Sequence, residues 1–151
     1  MNPMNVPVRR GTNYPAPFDA DVEAREKRKL GDALGLSNFG VNLVTLSPGC
    51  WSSQRHWHSK QDEFTYIISG TLTLITDEGE QELGPGRIAG FPAGAENGHH
   101  LINKSDTDAV YLEVGDRTPG DICEYPDIDM RTRIVEDGRS DRFVHKDGTP
   151  Y

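Results

Sequence analysis

Short runs of branched and aromatic residues, each cut off by glycine or proline, most constrain how this chain can fold. Phe39 to Leu46 stops at Ser47-Pro48-Gly49, and Glu63 to Ser69 stops at Gly70. Thr71 to Thr76 and Gln81 to Leu83 flank the turn Asp77-Glu78-Gly79-Glu80, and Gly84-Pro85-Gly86 makes the next turn. Ser52 to His58, Arg87 to Phe91, His99 to Lys104 and Ala109 to Val114 supply further extended runs. Such runs between turn signals read as strands, and strands recurring every 8–12 residues or so read as a sandwich or barrel. Ala20 to Leu30, rich in charge, is expected as a short helix, although its apolar spacing is poor.

At 151 residues the chain suits one domain. Pro3, Pro7, Pro15 and Pro17 mark an extended N-terminal arm, so 1–38 is read as arm and first edge elements. The barrel core is read as 39–115, and 116–151 as an extension packed on it. In that extension Arg131 to Glu136 and Arg142 to Lys146 flank Asp137-Gly138-Arg139-Ser140, the pattern of an appended hairpin. The formal charge of −8 argues against a nucleic-acid partner. No apolar stretch is long enough for a membrane span, and no apolar run follows the first arginines as a secretory signal would require. Cys50 and Cys123 lack neighbouring ligands at zinc-finger spacing, so both are expected as free thiols in a reducing cytoplasm.

One strand is apolar on both faces: Phe64-Thr65-Tyr66-Ile67-Ile68. A sandwich strand with one face in solvent should alternate apolar and polar. Phe64, Tyr66 and Ile68 are therefore expected beneath a second subunit or the N-terminal arm, and a homodimer is the expected assembly.

The chemistry sits in His56-Trp57-His58, Glu63 and His99-His100. Side chains alternate along a strand, so His56 and His58 share a face and Gln54 lies beside them. Two imidazoles and a carboxylate make three arms of a metal site, which a third imidazole from a distant strand can complete. On the later strand His99, Leu101 and Asn103 share one face, while His100 and Ile102 take the other. Gln54 and Asn103 are candidates to hydrogen-bond a substrate or the ligands. Glu96, His100 and Glu113 are candidate bases by being near these strands. Asp62 is an alternative to Glu63 as the carboxylate. His100 is expected on the surface or at an interface, and His145 in solvent.

These motifs resemble the cupin superfamily. Its first motif runs glycine, five residues, His-x-His, three or four residues, Glu, six residues, Gly. Here Gly49, six residues, His56-Trp57-His58, four residues, Glu63, six residues and Gly70 follow one another. Its second motif runs glycine, five residues, Pro-x-Gly, two residues, His, three residues, Asn. Gly86, five residues and Pro92-Ala93-Gly94 match; then come four residues, His99, three residues and Asn103. Asn97 stands where the family's spacing would put histidine, and the His99-to-Asn103 gap selects His99 over His100. The resemblance implies an all-β, single antiparallel β-sandwich or jelly-roll barrel with an N-terminal arm and C-terminal hairpin. It also implies one divalent transition metal (Zn, Mn, Fe or Ni) on His56, His58, Glu63 and His99, and a small polar ligand. The C-terminal stretch is similar to a group of small bacterial cupins sometimes provisionally named sugar-phosphate isomerases. A metal-dependent isomerase, an Fe(II)-type dioxygenase and a non-catalytic sensor or sequestering module all remain open.

Overall fold

The regular structure of this chain is almost wholly antiparallel strand, with only short helical turns between strands. A computed structural model describes residues 1–134 and 140–151, without the side chains of 133–142. The strands are β1 (Val8–Arg10), β2 (Glu26–Lys29), β3 (Phe39–Leu46), β4 (Trp57–His58), β5 (Glu63–Ser69), β6 (Leu72–Thr76) and β7 (Gly79–Leu83). They continue as β8 (Ile88–Phe91), β9 (His100–Ile102), β10 (Ala109–Asp116), β11 (Cys123–Tyr125), β12 (Met130–Ile134) and β13 (Ser140–Val144).

The largest sheet runs β1-β2-β3-β10-β5-β8; β13-β12-β11-β4 and β7-β6-β9 make the others. Every described pairing is antiparallel. The result is an all-β sandwich of jelly-roll form. Val44, Leu46, Ile67, Leu72, Leu74, Leu83, Leu101 and Tyr111 form the main core between the sheets. A second core holds Cys123, Tyr125 and Met130 against Tyr14, Phe18 and Phe143, and so joins both chain ends to the barrel. Gly70, at φ +72°, is required where β5 turns into β6: a Cβ there would lie 2.7 Å from the Asp108 carbonyl oxygen and from Ala109 Cα. No described helix is long and apolar enough to cross a membrane.

Three expectations need correction. Ala20 to Leu30 is not a helix: Ala20–Val22 is a single 3-10 turn, Glu26–Lys29 is β2, and α-helix begins only at Leu30–Ala33. The segment has no apolar stripe to bury as a helix, whereas the open edge of β3 offers four register partners, from Thr45 to Asn42. Ser52 to His58 is not one continuous strand, because bends occupy 52–55 and regular pairing starts at Trp57. Nor does the N-terminal arm cover the outer face of β5, where Phe64 and Tyr66 are 40% exposed and Ile68 43%. The expected tail hairpin is present as the β12–β13 pairing; most of its turn, 135–139, lies outside the described residues.

Candidate metal centre

Four predicted residues meet, although the chain separates them widely. His56 and His99 form an isolated antiparallel bridge, with His99 N–H donating to the His56 carbonyl at 2.8 Å and His56 N–H to the His99 carbonyl at 3.1 Å. His58 ends β4 and Glu63 begins β5. Glu63 Oε2 lies 2.8 Å from His99 Nε2, 3.5 Å from His58 Nε2 and 3.6 Å from His56 Nε2. The carboxylate thus stands amid three imidazole nitrogens. His56, Glu63 and His99 each offer one ligand atom within 4.8 Å of the others. Of the two candidate carboxylates Glu63 is the one that reaches the imidazoles, whereas Asp62 turns away and accepts the Ala93 backbone N–H at 2.7 Å.

Hydrogen bonds fix how two of the rings present themselves. His56 Nδ1 lies 2.8 Å from the Gln54 carbonyl, an acceptor only, so Nδ1 carries the proton and Nε2 keeps its lone pair. His58 Nδ1 lies 2.6 Å from Asp121 Oδ2 and is likewise the protonated nitrogen. His99 differs. Its Nε2 meets Glu63, its Nδ1 has no partner, and its ring stacks on Phe91 with centroids 3.5 Å apart. A cation at His99 Nε2 would therefore require its proton to leave that nitrogen.

Burial and neighbouring charges set the protonation states. Burial lowers the His99 pKa to about 4, and the Glu63 hydrogen bond only partly opposes it. Burial also disfavours charged His58, but Asp121 and Glu63 outweigh it and the pKa is raised. Burial would raise Glu63, yet the neighbouring His56 ring, the hydrogen bond from His99 and the nearby His58 hold it well below the ordinary carboxylate value. The centre thus joins an ionised carboxylate to two rings whose Nδ1 is held by an acceptor and whose Nε2 is turned towards Glu63, a donor set that, with the rings neutral, suits a divalent transition ion.

Other predicted residues have different duties. Asn103 is wholly buried and has no capacity left for a substrate. Its Nδ2 donates to the Leu46 and Thr107 carbonyls, at 2.7 and 2.8 Å, and its Oδ1 accepts from Ser105 N–H and Oγ–H, at 3.0 and 2.7 Å. It organises the turn from β9 to β10. Gln54 spends its side-chain amide on the Phe18 carbonyl, at 2.9 Å, and serves the centre through its backbone carbonyl. The bends at 52–55 break the alternation that would have aimed its side chain at the ligands. His100 is not on the surface: it is 5% exposed, bonds the Ser53 carbonyl through Nδ1 at 3.0 Å and packs edge-on against Trp51. His145 is partly sheltered, paired with Asp129 and stacked on Tyr151.

Two cavities flank the centre. An outer one of about 310 Å³ includes Trp57, His58, Leu74, Ile88, Phe91 and His99 in its lining. An inner one of about 190 Å³ is lined by His56, Glu63 and His99, and also by Arg25, Lys27 and Tyr111. His100 and Glu113 reach the inner cavity, whereas Glu96 is exposed and lines neither. Glu113 receives Lys27 Nζ at 2.8 Å and Asn42 Nδ2 at 2.9 Å. Burial alone would raise its pKa, but Lys27 brings it below the usual value.

Spacing along the chain gave no sign of Asp121 or Cys123. Both arrive through the β4–β11 pairing, in which Cys123 is the Cα partner of His58. Cys123 also offers a sulfur within 4.8 Å of ligand atoms on His56 and His58, a second, softer set of three. Burial pushes its thiol pKa well up.

Residues 42–115 match the family model of the cupin domain. No curated protein matches the sequence. The chain is similar to the crystal structure of a sugar phosphate isomerase from a cupin superfamily of Silicibacter pomeroyi DSS-3, with 44% identity, 98% of this chain and 93% of that one covered, and a TM-score of 0.91. It is also similar to a protein of Acidithiobacillus ferrooxidans provisionally named a sugar phosphate isomerase, with 30% identity, 85% and 80% coverage and a TM-score of 0.74. The polyketide cyclase RemF of Streptomyces resistomycificus, at 22% identity, 77% coverage of each chain and a TM-score of 0.62, shares the fold.

Proposed function

We propose, from the premise that this chain belongs to the cupin superfamily, that it is a metal-dependent enzyme which isomerises a small polar hydroxy-carbonyl metabolite. The observation that carries this reading is the gathering of three imidazole Nε2 atoms about Glu63 Oε2 beside two cavities. The isomerase name of the 44%-identical relative supports the reaction class.

His56, His58, Glu63 and His99 would hold one divalent ion of zinc, manganese, iron or nickel. Such an ion, when bound, polarises a substrate oxygen as a Lewis acid. The Gln54 carbonyl and Asp121 hold the His56 and His58 rings with Nε2 presented. Phe91 keeps His99 in place and shields it from water. Glu113, ionised and anchored by Lys27, is the proton acceptor on the inner cavity, and Tyr111 is a hydroxyl donor on the same wall. Its low pKa makes Glu113 a weak base, so substrate acidification is needed for proton transfer.

The same low basicity favours a second reading, a non-catalytic metal or ligand-binding module. One experiment separates the two. Purified protein is loaded with each metal and incubated with trioses to pentoses, free and phosphorylated, in deuterated water. Deuterium appearing beside the carbonyl establishes isomerase chemistry; ligand binding without exchange by any loaded form establishes the module. Oxygen uptake by the iron form alone would move the assignment to a dioxygenase.

The exposed apolar face of β5, continued by Ile88 on β8, fits a second copy of the chain, so the working form is read as a homodimer. Two buried free cysteines fit a reducing, cytoplasmic setting.

A further inference from the structure

We infer that the inner cavity is a subsite for an uncharged hydroxy-carbonyl fragment, held by the Arg25 Nε–H and the Tyr111 hydroxyl. This rests on the enzyme reading above and names the part of the substrate that the protein itself grips.

Three buried side-chain polar atoms lack a hydrogen-bond partner among the described residues: Arg25 Nε, Tyr111 Oη and His99 Nδ1. All three belong to residues lining this one cavity. Buried polar groups are almost always satisfied, so three open ones around one space point to a ligand that satisfies them. Arg25 cannot swing away to find another partner. Its Nη1 donates to the Ser52 carbonyl at 2.5 Å and its Nη2 to the Gly11 carbonyl at 3.0 Å, which leaves Nε–H over. Tyr111 is 1% exposed in the barrel core, and its hydroxyl lies near Ser52 without a hydrogen bond of normal geometry.

The charges on the walls choose the chemistry. Lys27 is already paired with Glu113 at 2.8 Å, and Glu63 and Glu113 both face the space. A phosphate dianion there would meet the Glu113 carboxylate and find only one spare guanidinium N–H and one hydroxyl to balance two negative charges. Hydroxyl and carbonyl oxygens both accept from Arg25 and Tyr111, and the hydroxyl also donates, to Glu113. The volume of about 190 Å³ suits a short carbon chain.

The test titrates the protein with dihydroxyacetone and, separately, with inorganic phosphate. It follows the Arg25 Nε–H cross-peak by nitrogen-15 NMR and repeats the titration on Tyr111→Phe. Dihydroxyacetone should shift that cross-peak, phosphate should not, and Tyr111→Phe should weaken the dihydroxyacetone response roughly tenfold. The same variant should melt at a higher temperature than the unliganded parent, because it deletes an unpartnered buried hydroxyl; a merely structural hydroxyl would lower the melting temperature. Equilibrium dialysis of both proteins against zinc keeps the two readings apart. Zinc binding without a dihydroxyacetone response overturns the subsite alone, whereas a response without zinc binding overturns the metal centre and keeps the subsite. A shift caused by phosphate, or a lower melting point for Tyr111→Phe with unchanged affinity, overturns the inference.

Discussion

Asp121 and His58, separated by 63 positions in the chain, meet at 2.6 Å between carboxylate and Nδ1. Ser59 Oγ–H and Lys60 N–H donate to the other carboxylate oxygen, so Asp121 is fixed before it fixes the ring. Replacing Asp121 by Asn removes the negative charge that holds Nδ1–H while keeping the side chain's size. Metal affinity should fall about 10–100-fold, the range expected when the partner of a ligating histidine is lost. Competition against a chromophoric chelator reads this directly. Affinity equal to that of the parent would mean that Asp121 does not support a ligand.

His99 and His100 are neighbours with opposite roles. His99 faces Glu63, whereas His100 faces Trp51 and the Ser53 carbonyl. His99→Ala should abolish stoichiometric zinc binding, and His100→Ala should leave the bound zinc near one per chain while lowering stability. Metal analysis after dialysis, paired with thermal unfolding, gives both quantities. The reverse pattern would show that the second motif is assigned one residue out of place.

Stability without metal should pass through a maximum near pH 6.5. His99 has a folded pKa of about 4 against 6.5 unfolded, so the folded state binds fewer protons than the unfolded chain between those values. Stability therefore drops as pH falls through that window, by about 3 kcal/mol over its full span. His58 has a raised folded pKa. Its contribution is complete below its unfolded value and is lost as pH rises through the folded one. Glu63, held well below its ordinary value, adds further loss once pH falls under about 4.5. Urea midpoints from pH 4 to 8 in chelator trace the curve. A steady rise from pH 5 to 8 would contradict the assignment of His99 and His58.

Asn103 separates spacing from chemistry. Its motif position made it a candidate for substrate contact, yet all four of its hydrogen-bonding positions are filled inside the protein. Asn103→Ala should therefore cost about 3 kcal/mol of stability, because it strands the Leu46 and Thr107 carbonyls and the Ser105 donors. Metal affinity of the folded protein should stay within about twofold of the parent. Urea denaturation and chelator competition measure the two effects, and a large drop in affinity with little loss of stability would restore Asn103 to the site.

The strands and the clustering of His56, His58, Glu63 and His99 were legible because both depend on local pattern. Glycine and proline mark where β3, β5 and β6 must stop, and the spacing of His56, His58 and Glu63 survives even though bends replace the expected strand at 52–55. The rest depends on which distant strands pair. Asp121 and Cys123 reach the centre through the β4–β11 register, and Arg25 and Lys27 reach the inner cavity because β2 docks on β3. A segment such as Glu26–Lys29 carries no strand signal of its own; the unpaired edge of β3 makes it a strand. The two-faced apolar pattern of β5 leaves Phe64, Tyr66 and Ile68 exposed on the single chain, and no local pattern in the sequence says what packs there.

That face gives the last prediction. Phe64, Tyr66 and Ile68 stand on the outer side of β5, and Ile88 is the register partner of Tyr66 on β8 with 61% exposure. Side chains on one face of paired strands are adjacent, so these four residues form one apolar surface. Such a surface is costly in water and is removed most simply by a twofold-related copy of itself. Sedimentation at micromolar concentration should show a dimer for the parent. Tyr66→Glu combined with Ile68→Lys should yield a folded monomer with an unchanged far-ultraviolet circular dichroism spectrum, since neither side chain enters the core. A parent that sediments as a monomer, or a double variant that stays dimeric, would rule out this face as the subunit contact.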